Sequence, residues 1–230
     1  SPSRGLGDVY KRQIFMYLTY EKADNTEMLN YQNDGLLHSQ NYMDGGKKET
    51  VNATLYANKG LGNLPIDAKL TTTFLWNRNE IAYNSIPCKM LIGNLKTDLG
   101  FVSRFKIPFN VEVDGLYNKL TNKVTDLNID SSDKEFGGTA KLIFAKNKFA
   151  SFVTGKWNKI ENTSGSKILR DIDFSISYKI KKFTCKLSGT NIFHLNGINW
   201  LKQNVTPTYT SYVRYKQHSG NVMLSLTYQL

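Results

Sequence analysis

The sequence predicts an all-β protein, namely an antiparallel up-and-down meander of about ten long strands that forms part of a transmembrane β-barrel. Three observations carry this prediction. Apolar and polar residues alternate along successive runs, the connections between the runs alternate between short and long, and aromatic residues gather at the ends of the runs. A helical period of about 3.6 residues is not apparent anywhere in the chain.

Composition narrows the classes of function. The chain has 230 residues and a formal net charge of +11 at pH 7, which first suggests nucleic acid or an anionic membrane surface as a partner. The lysines are scattered through predicted turns and loops, and neither a long basic run nor an RNA-recognition signature occurs. We therefore expect no nucleic-acid partner. The two cysteines, Cys88 and Cys185, could either form a disulfide or remain free thiols, and the sequence does not decide between these states.

The first 13 residues do not look like protein sequence. Asp8 to Gln13 read DVYKRQ, which resembles the in-frame translation of a transposase end sequence used to prepare sequencing libraries. We therefore interpret residues 1–13 as a non-native, adapter-derived leader that makes no ordered contacts with the sheet. The native sequence, residues 14–230 here, is then expected to extend upstream of Ile14.

The alternating runs follow one another from Ile14 to the end of the chain. In order they are residues 14–20, 51–57, 66–76, 95–101, 109–117, 136–144, 149–157, 172–180, 183–187 and 221–230. Side chains on a strand point alternately to opposite faces, so each run has one apolar face and one polar face. All of these runs except 183–187 are longer than the strand of about five to six residues that is commonest in soluble proteins.

The last run shows the two faces most clearly. Val222, Leu224 and Leu226 alternate with polar residues such as Ser225, so the first set is predicted to face lipid and the second the lumen of a barrel. Leu226→Arg is accordingly predicted to be strongly destabilising and Ser225→Arg to be nearly neutral. The remaining lipid-facing candidates are Ile172, Phe174 and Ile176. The lumen-facing candidates are Asp171, Asp173, Lys186, Glu112 and Asp114.

The connections fall into two kinds that alternate strictly. Short turns are predicted near residues 59–64, 103–106, 145–148 and 179–182. Long polar segments are predicted at residues 22–49, 78–89, 122–134, 158–167 and 194–220. Alternation puts every short turn on one rim and every long loop on the other, which is the arrangement of outer-membrane barrels.

Aromatic residues mark both ends of the runs. Trp76, Tyr117 and Trp157 lie at the strand ends away from the short turns. The set near the short-turn rim is Phe101, Phe105, Phe109, Phe144, Phe149, Tyr178, Phe183 and Tyr228. Two aromatic belts that flank an apolar band are typical of a membrane–water interface on each side.

The sequence contains only weak indications of a metal site and none of a catalytic site. Asp126, Asn128 and Asp130, in the segment DLNIDSSD, resemble the first half of a calcium loop, but the glycine after Asp130 and a closing glutamate are missing. We therefore favour a solvated acidic loop there. His38, His194 and His218 lack metal-ligand spacing, and no serine stands in a nucleophile-elbow context. We expect no enzymatic activity and no cofactor.

The C-terminal part carries a resemblance to a known family. ISYKIKKFTCKLSGTNIFHLNG, from Ile176 to Gly197, is followed by TYTSYVRYKQHSGNVMLSLTYQL. Together they resemble the end of a TonB-dependent-receptor-type outer-membrane β-barrel, of the class with a carboxypeptidase-regulatory-like N-terminal domain. Asn191, Ile192 and Phe193 stand where that family has an Asn-Leu-Phe-like stretch. The family usually ends in Phe, whereas this chain ends in Leu230, with Tyr228 as the nearby aromatic residue.

The resemblance implies a location, a function and partners. It implies the C-terminal part of a barrel in the bacterial outer membrane, which takes up an unidentified solute. Its partners would be outer-membrane lipid, the barrel-assembly machinery and TonB-type energy coupling through a plug encoded upstream. Because the early strands would also lie upstream, the sheet is expected to be open or incompletely closed over this chain.

Two alternatives stay open. One is a structural or adhesive outer-membrane barrel without active transport, which an upstream plug would exclude. The other is a soluble β-sandwich that binds glycans or nucleic acid. Two packed sheets with a shared buried core would favour the sandwich and contradict the membrane interpretation.

Overall fold

A computed structural model describes residues 12–35, 37–162, 165–205, 210–217 and 219–229. They form one antiparallel sheet of ten strands, in which each strand pairs with its neighbours in sequence and the last strand pairs with β9. The strands of this sheet are β1 Arg12–Asp34, β2 Leu37–Gly60, β3 Ile66–Tyr83, β4 Ile86–Ser103, β5 Phe109–Val124, β6 Ile129–Lys146, β7 Phe149–Asn162, β8 Gly165–Ile180, β9 Phe183–Thr190 and β12 Asn221–Tyr228. A separate hairpin is formed by β10 Ile198–Val205 and β11 Thr210–Gln217.

The predicted all-β meander is confirmed. Each of the ten predicted runs lies wholly or almost wholly within one strand of the large sheet, in the predicted order. β1 and β12 stand at the two edges, and the described residues show no pairing between them, so the sheet is not closed. Two short 3-10 helices, Thr125–Leu127 and Ile192–His194, connect strands on the rim away from the short turns.

The register aligns apolar residues across the whole sheet. Val153 on β7 pairs with Leu142 on β6 and with Phe174 on β8. Leu187 on β9 likewise pairs with Ile176 on β8 and with Leu224 on β12. Because paired residues share a face, one face of the sheet is apolar from edge to edge.

This apolar face is open. Leu142 is 50% exposed, and Leu224 and Leu226 are each 70% exposed. Among the described residues, the buried hydrophobic side chains are Met28, Ile81, Ala82, Cys88 and Val124, and none of them lies in the middle of this face. A sheet that exposes so much apolar surface needs an apolar environment or a further layer to cover it.

The buried residues form a small core at the far rim. Ile81, Cys88 and Val124 pack together, with Tyr83 and Met90 among the partly buried residues around them. The tip of the β1–β2 hairpin bends over this core after irregularities in its register at residues 24–28. The bend brings β1 residues 30–31 alongside β3 residues 82–83 in parallel pairing. The hairpin tips are therefore packed on one another at this rim.

Hydrogen bonds fix the hairpin tips in place. The Asn30 Oδ1 atom accepts a hydrogen bond from the Ser85 N–H at 3.1 Å, and the Asn84 Oδ1 atom accepts one from the Asn33 N–H at 2.8 Å. Asn84 and Ser85 have positive φ values of 48° and 66°, which suit a tight two-residue hairpin turn. A turn this short matches the right-handed twist of the flanking strands.

Four of the predicted long segments are wrong as loops. Residues 22–49, 78–89, 122–134 and 158–167 are largely strand, because the hairpins continue past the apolar band. Lys123 pairs with Asp130, for example, although neither side chain is apolar. A ladder of backbone hydrogen bonds needs no apolar face where both faces are wet, so hydrophobic alternation fails to detect it. The fifth segment, residues 194–220, contains the β10–β11 hairpin.

One expectation for the leader is also corrected, whereas its boundary at residue 13 stays a prediction. β1 begins at Arg12, which pairs with Lys59, and Gln13 pairs with Asn58. The expectation of no ordered contacts is therefore wrong for these two residues. Residues 1–11, including Val9 and Tyr10, lie outside the described part of the chain.

Both cysteines are free thiols, so they do not pair. Cys185 is exposed on β9, whereas Cys88 is buried in the far-rim core. Burial, together with the nearby negative charge of Asp126, raises the pKa of the Cys88 thiol. Cys88 therefore behaves as a small core residue and not as a reactive thiolate.

Within the described residues, no helix has the length and apolar character needed to span a membrane.

Candidate functional site

The polar face of the sheet lines an open cavity of about 840 Å³, whose wall also includes the apolar side chains of Leu116, Ile160 and Leu169. Six consecutive strands, β3 to β8, contribute polar side chains to its wall, namely Lys69, Asp98, Asp114, Thr139, Lys156 and Asp171. Side chains from six neighbouring strands reach one cavity only if the sheet curves around it. The polar face is therefore concave, and the apolar face is convex.

Two rows of charged and polar residues cross this concave face. In the first row Asp114 pairs with Thr139 and Lys156 pairs with Asp171. The second row runs through Glu112, Lys141, Thr154 and Asp173. Charges of opposite sign thus stand beside one another on neighbouring strands, which stabilises the pairing of those strands.

Ion pairs join these rows. The Lys141 Nζ atom lies 2.9 Å from the Glu112 Oε2 atom, and both side chains are half-buried. Lys156 makes an ion pair with Asp173, which connects the first row to the second. Much of the charge on the concave face is therefore compensated within the protein.

All five lumen-facing candidates lie on the concave face, but only two line the cavity. Asp114 and Asp171 are in its wall. Glu112 and Asp173 lie in the adjacent row, and Lys186 stands between Ser177 and Ser225 near the sheet edge. The register thus puts the five residues on one face, whereas their position toward a barrel lumen stays a prediction, and the sequence could not show which of them share a cavity.

Asp171 and Asp173 hold the connection that follows β9. The Asp171 Oδ1 atom accepts a hydrogen bond from the Phe193 N–H at 3.1 Å, and its Oδ2 atom accepts one from His194 Nδ1 at 2.8 Å. The Asp173 Oδ1 atom accepts a hydrogen bond from the Asn191 N–H at 2.9 Å. The segment Asn191–His194 is thereby docked onto β8. Sequence reasoning missed this role, although it had singled out Asn191 to Phe193 by resemblance.

Gly220 completes the docked segment from the other side. Its N–H donates a hydrogen bond to the His194 carbonyl oxygen at 3.0 Å. A Cβ atom at position 220 would overlap the Asn191 carbonyl oxygen, so the close approach of the two backbones requires glycine. The chain enters β12 through this contact, which sets the register of β12 on β9.

The six lipid-facing candidates lie together on the convex face. Phe174 pairs with Gly189, which pairs with Val222, and Ile176 is connected to Leu224 in the same way through Leu187. Ile172 and Leu226 occupy positions of the same face on β8 and β12. The register thus agrees with the predicted division of residues between the two faces.

Aromatic rings form two rows across the convex face. In the row near the short turns, the ring centroids of Phe109 and Phe144 are 4.7 Å apart, and those of Phe183 and Tyr228 are 4.8 Å apart. In the far row, the rings of Tyr117 and Phe136 are 5.0 Å apart. Contacts of this length are typical of interacting aromatic pairs.

The two rows keep a constant separation along three strands. The paired positions are 109 and 117 on β5, 144 and 136 on β6, and 149 and 157 on β7. Each interval corresponds to roughly 27 Å along a strand, or roughly 20 Å along the axis of a barrel whose strands tilt by about 40°. The apolar band of an outer-membrane barrel is about 25 Å tall, so the separation is close to the thickness that a bilayer imposes.

Both aromatic rows are also offset in the same direction relative to the cross-strand pairing of β6 and β7. Phe149 pairs with Lys146 and not with Phe144, so the near row moves two residues toward the short turns between β6 and β7. Trp157 pairs with Gly138 and not with Phe136, so the far row makes the same step. Rows that lie in a plane step in this way when the strands are inclined to the normal of that plane.

The size of the steps gives the inclination. The near row, from Phe109 to Tyr228, shifts four residues over five strand-to-strand steps. The far row, from Trp76 to Trp157, shifts six residues over four steps. With about 3.3 Å per residue and about 4.8 Å per strand, the two rows give tilts of roughly 30° and 45°. Membrane barrels have strand tilts of about 35–45°.

The weak calcium candidate does not assemble into a site. Asp126 lies in the 3-10 helix, where its Oδ2 atom accepts a hydrogen bond from the Lys89 N–H at 2.8 Å. Asn128 has a positive φ of 51° and ends that helix, whereas Asp130 lies on β6 opposite Lys123. Among the described residues, no group of three or more His, Cys, Asp or Glu side chains is arranged to hold a metal ion.

The three histidines that were predicted to lie in loops do not share one location in the structure. His194 is bound to Asp171, and His38 lies on β2 opposite Asn33. His218 lies outside the described residues.

Comparisons of the chain with protein-family models, curated proteins and solved structures found no match, so they leave the resemblance to TonB-dependent receptors untested.

Proposed function

We propose that this chain forms part of the wall of a bacterial outer-membrane β-barrel of the TonB-dependent receptor type. The observation that carries the proposal is the pair of aromatic rows on the exposed, convex apolar face. They have the separation of a bilayer's apolar band and the inclination of barrel strands. Lipid would cover the convex face, which no protein layer covers among the described residues.

The soluble-sandwich alternative lacks its defining feature. A sandwich buries one face of each of two sheets in a shared core. Here the large sheet has ten strands, and the only other sheet in the described chain is the two-stranded β10–β11 hairpin. Within the described residues, the exposed apolar face therefore has no second sheet to pack against.

The concave face supports a role in solute uptake. Its charged rows and its cavity suit a solute path through a barrel, with Asp114, Lys156 and Asp171 in the wall beside the apolar Leu116, Ile160 and Leu169. In this proposal the barrel binds and conducts the solute without chemical change, and energy is supplied through a TonB-coupled plug encoded upstream. The packed hairpin tips at the far rim would lie outside the cell.

A structural or adhesive barrel is the second candidate. The ion pairs Lys141–Glu112 and Lys156–Asp173 favour it, because charges that are paired with each other are less available to a solute. The complete reading frame separates the two candidates. A plug domain and a TonB-contacting segment upstream would support transport, and their absence from that frame would support the structural role.

Folding of the full-length protein with and without lipid tests the membrane proposal. We expect a protease-resistant species with heat-modifiable electrophoretic mobility in the presence of phospholipid vesicles, and aggregation in buffer alone. This result follows because the convex face is soluble only when lipid or detergent covers it. A monomeric, cooperatively unfolding protein in detergent-free buffer would contradict the proposal.

A further inference from the structure

The two rims of the sheet differ sharply in charge. We define the short-turn rim as residues 59–67, 103–109, 145–149 and 178–183. It contains a single acidic residue, Asp67, and eight cationic residues, which are Lys59, Arg104, Lys106, Lys146, Lys148, Lys179, Lys181 and Lys182. The far rim, at residues 22–49, 78–89, 122–134, 158–167 and 194–220, contains twelve Lys and Arg residues and ten Asp and Glu residues.

The cations of the short-turn rim, apart from Arg104, are available to a partner. All eight side chains are exposed. Asp67, the single acid of this rim, is engaged in an ion pair with Arg104. The Lys179 Nζ atom donates a hydrogen bond to the neutral Gln229 side chain at 3.0 Å, which leaves its charge uncompensated. The rim therefore presents an excess of positive charge over several neighbouring turns.

These cations lie directly beyond the near aromatic row. Lys148 and Phe149 are adjacent in sequence, as are Lys182 and Phe183. The Lys182 Nζ atom lies 5.9 Å from the centre of the Tyr228 ring. In a membrane barrel, an aromatic row marks the boundary between hydrocarbon and headgroups. Lysines just outside that row reach the depth of the lipid phosphates, with their aliphatic stems along the apolar surface.

We propose that the short-turn rim binds the anionic headgroups of glycerophospholipids in the leaflet that it faces. The proposal rests on the proposed function, because it needs the barrel to stand in a bilayer. Positive charge near a membrane surface favours anionic lipid by about fivefold per Lys or Arg residue. The far rim is close to balanced and provides much less of this preference, so the charge difference also favours one orientation of the barrel in an asymmetric membrane.

Lipid retention by the full-length protein tests this proposal. The protein is placed in bilayer nanodiscs of equimolar phosphatidylcholine and phosphatidylglycerol, extracted in a mild neutral detergent, and analysed for co-purifying lipid by mass spectrometry. The rim variant carries four exposed substitutions, Lys146→Gln, Lys148→Gln, Lys181→Gln and Lys182→Gln. The matched far-rim control also carries four exposed substitutions, Lys22→Gln, Lys47→Gln, Lys89→Gln and Lys123→Gln.

The expected result is specific to one rim. The wild type and the far-rim control should retain phosphatidylglycerol in preference to phosphatidylcholine, and the rim variant should lose at least fivefold of that preference. Equal preference in all three proteins, or equal loss in both variants, would overturn the role of the short-turn rim. Pure phosphatidylcholine discs separate the two proposals. Failure of the wild type to enter them would overturn the proposed function and the rim's role together, whereas entry without a lipid preference would overturn only the latter.

Discussion

Val153→Arg is expected to destabilise the bilayer-embedded protein by about 2–4 kcal/mol. Val153 lies on the convex face of β7, midway between Phe149 and Trp157, and is 49% exposed. Its cross-strand partners, Leu142 and Phe174, are also apolar. An arginine there would stand roughly 13 Å along the strand from either aromatic row, where neither water nor an acidic partner is near.

Thr154→Arg is the matched control. Thr154 is the next residue on the same strand and lies at the same depth, but it faces the concave side between Lys141 and Asp173. An arginine there keeps its hydration, so a cost of about 0–1 kcal/mol is expected. Urea titration of both variants in vesicles measures the difference. This pair is cleaner than Leu226 and Ser225, because Thr154 has the acid Asp173 as well as the cation Lys141 beside it, whereas Ser225, on the edge strand, is paired with the cation Lys186. Equal costs at positions 153 and 154 would contradict the assignment of the two faces.

Asp171→Ala is expected to release the Asn191–His194 segment from β8. The substitution removes the acceptor of the Ile172 N–H, of the Phe193 N–H and of His194 Nδ1. The Asp171 side chain is only 10% exposed, so water replaces it poorly. A donor left without a partner costs about 1–3 kcal/mol, and we expect a total loss of about 2–4 kcal/mol. Hydrogen exchange of the Phe193 amide, together with urea titration, measures the loss.

Asp171→Asn is the control for this prediction. Asparagine keeps one side-chain oxygen in the place of Oδ1, which can still accept the hydrogen bonds from Ile172 and Phe193. The segment should therefore stay docked, at a cost well below that of alanine. If both variants left the exchange of the Phe193 amide unchanged, Asp171 would not hold this segment.

The strands of the apolar band could be predicted because one face of the sheet carries apolar side chains and the other carries polar side chains. A residue such as Leu142 or Val153 is apolar for one face, while Lys141 or Thr154 beside it is polar for the other. That difference gives the period of two that marks a strand. The order of the strands followed from the short turns, since neighbours joined by a tight turn pair with each other.

The outer parts of the hairpins could not be predicted in this way. Lys123 and Asp130 pair across strands whose two faces are both polar, so no alternation distinguishes them from a loop. The docking of Asn191–His194 was also invisible, because it depends on a contact with Asp171, which is far away in sequence. The stagger of the aromatic rows needed the register, which the sequence constrains only through its faces and turn lengths.

Site-directed spin labelling along residues 149–157 of β7 tests whether lipid covers the convex face of the sheet. Each residue is replaced in turn by a labelled cysteine, in the full-length protein with Cys88 and Cys185 replaced by serine and reconstituted in bilayers. We predict a period of two, in which odd-numbered positions are accessible to oxygen from the lipid and even-numbered positions to a water-soluble nickel chelate. Oxygen accessibility should be highest near Val153. Odd-numbered positions that neither reagent reaches, as in a protein core, would contradict a barrel wall with lipid on its convex face.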